Sequence, residues 1–211
     1  MTSTPIKPEE LTIVPANQAS SADLTAIFDT SASRQCACQW FKLLARSWER
    51  ASDEQRRAQF WEQTNCGNPE ATSSSGLVAY LTEDRIPVGW VAVEPRTAYP
   101  RLRGLPTVWK GRPGEDKQDE GVWSVTCFVV RKGYRGRGIT YALAAATVPY
   151  AKEQGARALE GYAMRTQPGK MITWGELYVG AHQVFADAGF TEVSSPSLRR
   201  AVMRVEFSAG E

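Results

Sequence analysis

The sequence predicts an α/β domain, a sheet flanked by helices, and three observations predict it. The apolar, β-branched run VWSVTCFVV at 122–130 stops at a short basic, glycine-containing turn. A helical spacing of Ile139, Ala142, Leu143 and Ala146 follows directly. Two further apolar runs, 77–82 and 87–94, flank a turn that begins with Glu83-Asp84, the pattern of a β-hairpin. A helical stretch at 175–188 then separates the strand-like 158–164 from the strand-like 190–193 and 199–207.

Taken in order, Leu11 to Val14 reads as the first strand. Ser20, Ser21 and Asp23 open a helix whose apolar face is Leu24, Ile27 and Phe28. The cysteine- and aromatic-rich stretch from Cys36 to Leu44 fits neither period. Ser52, Asp53 and Glu54 open a second helix that buries Phe60 and Trp61 and closes at Cys66-Gly67. The hairpin follows. Residues 95–120 carry prolines at 95, 100, 106 and 113, and a loop this long is either functional or disordered. After strand 122–130 the helix runs from Gly138 to about Gln154, with a kink expected at Pro149 and a stop at Gly155. A right-handed crossover then makes Ala158 to Met164 parallel to 122–130. Gly189 caps the last helix. The final strand alternates, with Ala201, Met203, Val205 and Phe207 on one side.

Bulk properties exclude several classes. The chain has 211 residues, 42% hydrophobic and 23% charged, which suits one folded domain over 11–207 with flexible ends at 1–10 and 208–211. A net charge of +2 and the lack of a basic stripe with interleaved aromatics argue against a nucleic-acid partner. No apolar run approaches the ~20 residues of a membrane span, and the first ten residues lack the core of a signal peptide. Four cysteines in a chain this long do not form a disulfide scaffold, so a reducing cytoplasm is expected. With one histidine, Cys36-x-Cys38 does not make a zinc site, and no metal is expected.

The turn after strand 122–130 points to chemistry. A strand, a basic glycine-rich turn and a helix N-terminus aim several backbone N–H groups at one point, an anion site for phosphates. Arg135 and Arg137 add positive charge there.

The residues Arg135-Gly136-Arg137-Gly138-Ile139-Thr140, and the helix Ala181 to Gly189 ending in Gly-Phe at Phe190, resemble two landmarks of the GCN5-related N-acetyltransferase (GNAT) superfamily. The first is its acyl-CoA signature, Gln/Arg-x-x-Gly-x-Gly/Ala, with Thr140 departing at the last position. The segments CACQWFKL, VGWVAVEPRTAYPRL and VWSVTCFVV resemble a bacterial subgroup of that superfamily. The resemblance spans about 11–207. It implies a mixed, mostly antiparallel sheet with one parallel, splayed strand pair. It also implies acetyl-CoA as donor, its pantetheine arm beside Phe128, Val129 and Val130, and its pyrophosphate at Arg135, Gly136, Arg137, Gly138, Ile139 and Thr140. The acceptor it implies is a small-molecule amine. A protein or peptide acceptor, or an acyl-CoA sensor without turnover, are the alternatives, and a homodimer is compatible with all three.

The family's usual acid and base are both absent. Phe185 stands where the thiolate-protonating Tyr is often found, and Ser124 and Thr126 stand where a Glu is common. Four candidates replace them. Glu160 is either a paired structural carboxylate or a base raised in pKa by burial. Tyr178 is either a packing aromatic or the acid. Ser124 and Thr126 are expected to hold a water that takes the amine's proton. Trp40, Phe41, Trp90 and Trp109 are candidate acceptor-pocket walls. The loop arginines are either a solvated face or a lure for the adenosine 3′-phosphate or an acidic substrate. His182 is expected near the surface.

Overall fold

The computed structural model describes residues 4–166 and 173–208. Seven strands form one sheet: β1 (Leu11–Pro15), β2 (Gly76–Leu81), β3 (Pro87–Pro95), β4 (Val122–Val130), β5 (Ala158–Met164), β6 (Thr191–Ser197) and β7 (Arg200–Glu206). Their spatial order is β1-β2-β3-β4-β5-β7-β6. Only β4 and β5 are parallel, over Val122–Val125 against Ala158–Gly161. All other neighbours are antiparallel. This is the mixed α/β architecture the sequence predicts.

Strand alternation gives the sheet two apolar faces. On one face Val91, Val125 and Phe128 pack against Ile139 and Leu143 of α6 (Ile139–Glu153) and Phe185 of α8 (His182–Asp187). On the other, Val78, Tyr80, Trp90 and Cys127 meet Leu24 and Ile27 of α1 (Ser21–Ile27) and Phe60 of α4 (Asp53–Thr64). The helix starts are chemically explicit. Ser20 accepts from the Asp23 N–H while Asp23 accepts from the Ser20 N–H, and Ser52 and Gln55 do the same for α4.

Several expectations are corrected. Trp61 is half-buried rather than core, and α4 stops one residue earlier than expected because Asn65 takes the left-handed turn (φ 52°). The amino-terminal segment is docked from Thr4 onwards. Ile6 is buried, and its N–H donates to the Arg137 carbonyl at 2.8 Å. The stretch 31–50 holds two short helices, α2 (Ser31–Cys36) and α3 (Ala45–Arg50), joined through left-handed Ala37 and Cys38. The loop after β3 is packed, not open. It contains α5 (Pro106–Trp109) and buries Arg96 and Leu102. Helix α6 continues through Pro149 to Glu153. The helix expected over 175–188 is two pieces, α7 (Trp174–Leu177) and α8. Gly180 breaks it with φ +93°, where a Cβ would lie 2.7 Å from Phe185 and 2.8 Å from Phe128.

That break matters for the sheet. A bulge on β4 shifts its register with β3 between Val125 and Cys127, leaving Thr126 as the extra residue. Beyond it β4 and β5 part. The backbone of 178–181 bridges the gap, with Phe128 N–H donating to the Tyr178 carbonyl at 2.6 Å and Met164 N–H to that of Gly180 at 2.9 Å. The Phe185 ring wedges the parting from below. It lies so close to Gly161 that a Cβ there would sit 2.3 Å from it.

Candidate active site

A cleft of about 680 Å³ opens where β4 and β5 diverge. One wall is Phe128, Val129 and Val130 of β4, continued by Arg135, Gly136, Gly138, Ile139 and Thr140. Backbone phase determines what this wall offers. Arg131 N–H donates to the Val88 carbonyl, so in an antiparallel ladder the Val129 N–H also faces β3 and the Val130 N–H faces the cleft. Of these two amides, only that of Val130 is turned toward the cleft. Arg135 donates from Nε to the Val130 carbonyl at 3.1 Å, which ties the turn to the strand end.

The turn sets two left-handed glycines before a helix N-terminus. Gly136 (φ +71°) and Gly138 (φ +88°) both adopt the left-handed conformation that a side chain disfavours. The first N–H groups of 15-residue α6 have no partner one helical turn back, and Gly138, Ile139 and Thr140 at that end line the cleft with Arg135. Thr140 lines the cleft, so its departure from the signature leaves the wall intact. Arg137 does not line it. Its Nε donates to the Thr4 carbonyl at 2.8 Å, so it anchors the amino-terminal segment instead.

Residues 37–167 match the model of the Acetyltransferase (GNAT) family. The chain belongs to the GNAT family. Members of this family generally use acetyl-CoA to acetylate amines. Among solved structures, this GNAT chain is similar to a GCN5-related N-acetyltransferase from Kribbella flavida at 20% identity and TM-score 0.54, covering 95% of this chain and 100% of that one. It is also similar to a GNAT acetyltransferase from Bacillus anthracis at 13% identity and TM-score 0.51, covering 95% and 97%. These likenesses are of fold. No curated protein sequence matches the chain.

The far end of the cleft departs from the CoA wall in character. Phe28, Cys36, Cys38, Trp40, Cys127 and Tyr178 line it. The consecutive positive φ values of Ala37 (44°) and Cys38 (52°) turn the chain so that Cys36, Cys38 and Trp40 all reach one surface. Trp90 Nε1 donates to Cys38 Sγ at 3.2 Å from beneath. Burial, then the neighbouring Cys38, pushes the Cys36 thiol up to about 11. A hydrogen bond with Cys38, then burial, pushes the Cys127 thiol well above its ordinary value. These thiols are neutral at physiological pH. Among the described residues no cluster of His, Cys, Asp or Glu is arranged to hold a metal ion.

Of the four candidate catalytic side chains, only Tyr178 lines the cleft. Its phenol is held protonated, raised chiefly by burial and then by the nearby thiols Cys127 and Cys36. Glu160 is fully buried and enclosed by Arg96 at 3.2 Å, Arg204 at 2.8 Å and Arg112. Tyr162 also donates to it at 3.3 Å. That is a paired structural carboxylate, and the expectation of a base there is corrected. Ser124 Oγ shares a hydrogen bond with Tyr162 at 2.9 Å, and Thr126 is buried at the bulge, so neither holds a water in the cleft. Phe185, with no exposed surface, is a wedge. His182 sits near the surface, 3.2 Å from Glu192.

The aromatic expectations divide. Trp40 lines the cleft, whereas Trp90 and Phe41 are core and Trp109 stacks beneath Arg96 and Arg112. Those loop arginines serve Glu160 rather than a ligand. Sequence reasoning missed Phe28, Cys127 and Tyr134 on the cleft wall. Tyr134, inside the basic turn, had a visible signal. Phe28 and Cys127 had none, because each sits in an apolar run that reads as core.

Proposed function

We propose that this chain transfers an acetyl group from acetyl-CoA to a primary amine of a small molecule by direct attack. One observation carries the reading: a single cleft runs from the amides of the α6 N-terminus, past the Val130 N–H, to a pocket walled by Tyr178. The amides of 136–140 and Arg135 bind the pyrophosphate. The Val130 N–H steadies negative charge as it builds on the thioester oxygen. Tyr178 gives its phenolic proton to the leaving sulfur. Alignment of donor and acceptor supplies most of the rate, since effective molarities of about 10⁵ M or more are available to well-placed groups. The mostly apolar far end favours a small apolar acceptor over a peptide.

A sensor that binds acyl-CoA without turnover is the second reading, favoured by the burial of Phe185 and Glu160 away from the cleft. Incubation with acetyl-CoA and an amine panel, scored by thiol release, separates the two. Release that depends on amine supports transfer. Tight CoA binding with no release for any amine supports the sensor and overturns transfer.

A further inference from the structure

We infer that the acceptor is a primary aromatic amine that enters uncharged. The inference rests on the acetyltransferase reading above and comes from what faces the acceptor end. Its wall is made largely of Phe28, Cys36, Cys38, Trp40, Cys127 and Tyr178, and the hydroxyls of Thr30 and Ser33 between them are neutral and bond each other at 2.7 Å. None of the described residues lining the cleft is a carboxylate. The two acidic residues that border the lining segments are not on the wall. Glu176 is committed to the Thr173 N–H and hydroxyl, both at 3.1 Å, and to Arg199 at 2.8 Å. Asp29 lies between Phe28 and Thr30 without lining the cleft. The Cys36 and Cys127 thiols and the Tyr178 phenol are neutral, for the reasons given above.

The charges that do approach this end are positive. The Arg101 guanidinium stacks 3.9 Å from the centre of the Trp40 ring, and Arg200 and Arg101 both act on the Tyr178 phenol. An ammonium entering here would be desolvated by a largely apolar wall, would find no carboxylate among the described lining residues, and would be repelled by two guanidiniums. Its deprotonation would have no lining base to assist it. An alkylamine with a lysine-like pKa of about 10.4 is neutral in only about one molecule in 10³ at neutral pH. An aromatic amine delocalises its lone pair into the ring and is neutral there. Its flat apolar body also suits a wall of Phe28, Trp40 and soft thiols.

The transfer balances with Tyr178 as the one protein group that moves a proton. The amine nitrogen forms the bond to the thioester carbonyl carbon and the carbon–sulfur bond breaks. Tyr178 gives its proton to the departing sulfur and regains one from the acylated nitrogen. The products are an N-aryl acetamide and free CoA thiol.

The test uses the full chain with acetyl-CoA, and aniline and 4-methylaniline against benzylamine and cyclohexylamine. Thiol release is read from pH 6.5 to 9, with acetyl-CoA binding followed separately by calorimetry. We expect kcat/KM at pH 7 to favour the anilines by at least about tenfold. Their profiles stay level while those of the alkylamines climb about tenfold per pH unit. A preference below tenfold at pH 7, or alkylamines in the lead, overturns the acceptor inference and leaves acetyl transfer standing. Bound acetyl-CoA with no release from any amine overturns the transfer reading, and the acceptor inference with it.

Discussion

In the proposed transfer Tyr178 is the residue on which the chemistry turns, because it alone among the four candidates combines a proton to give with a place on the cleft wall. Removing its hydroxyl in Tyr178→Phe should lower kcat by about 10²–10⁴-fold with acetyl-CoA affinity little changed, measured by steady-state kinetics and calorimetry. The sign of its pH dependence follows from its raised pKa. The protonated phenol is the working form and survives to beyond the ordinary tyrosine value. Activity on a neutral amine should therefore show no basic limb up to about pH 10. A second residue, Gly161, is specified by packing. A Cβ there would meet Phe185 at 2.3 Å, so Gly161→Ala should cost about 1–3 kcal/mol. In a thermal melt, trimming the ring with Phe185→Leu in the same chain should recover part of the loss.

Among the elements, the packed loop 95–120 is held to the sheet by charge. Arg96 and Arg112 come from this loop and Arg204 from β7, and all three converge on Glu160 of β5, with Glu115 closing the set. Glu160→Gln leaves three guanidiniums facing a neutral amide. It should destabilise by about 3–5 kcal/mol in a denaturant titration. The pH profile of kcat/KM should be unchanged, which a catalytic base would not allow. How far these elements could be read in advance depends on range. Strand β4, its turn and α6 are contiguous, so period and glycine spacing expose them together. Glu160 looks like an isolated acid in an apolar run because its partners lie 64, 48 and 44 residues away. The split between α7 and α8 was hidden for a related reason. Gly180 is required by rings brought from β4 and α8, not by its own neighbours.

For the molecule as a whole, the site is a product of topology. Placing β5 parallel to β4, with a bulge at Thr126 and an aromatic wedge at Phe185, opens the sheet beside the N-terminus of α6. One consequence reaches the amino-terminal end. Thr4 and Ile6 bind the backbone and side chain of Arg137, so the segment braces the anion turn from outside. Occupancy of the cleft should be felt globally. Acetyl-CoA at a hundredfold excess over its Kd should stabilise the fold by about 2.7 kcal/mol, raising the melting midpoint by roughly 5–10 °C. Amide hydrogen exchange with and without acetyl-CoA locates that binding. New protection should fall on the amides of 136–140 and on Val130, with β1 and β2 unchanged. Bound acetyl-CoA that leaves 130–140 exchanging as before would contradict the assignment of this cleft.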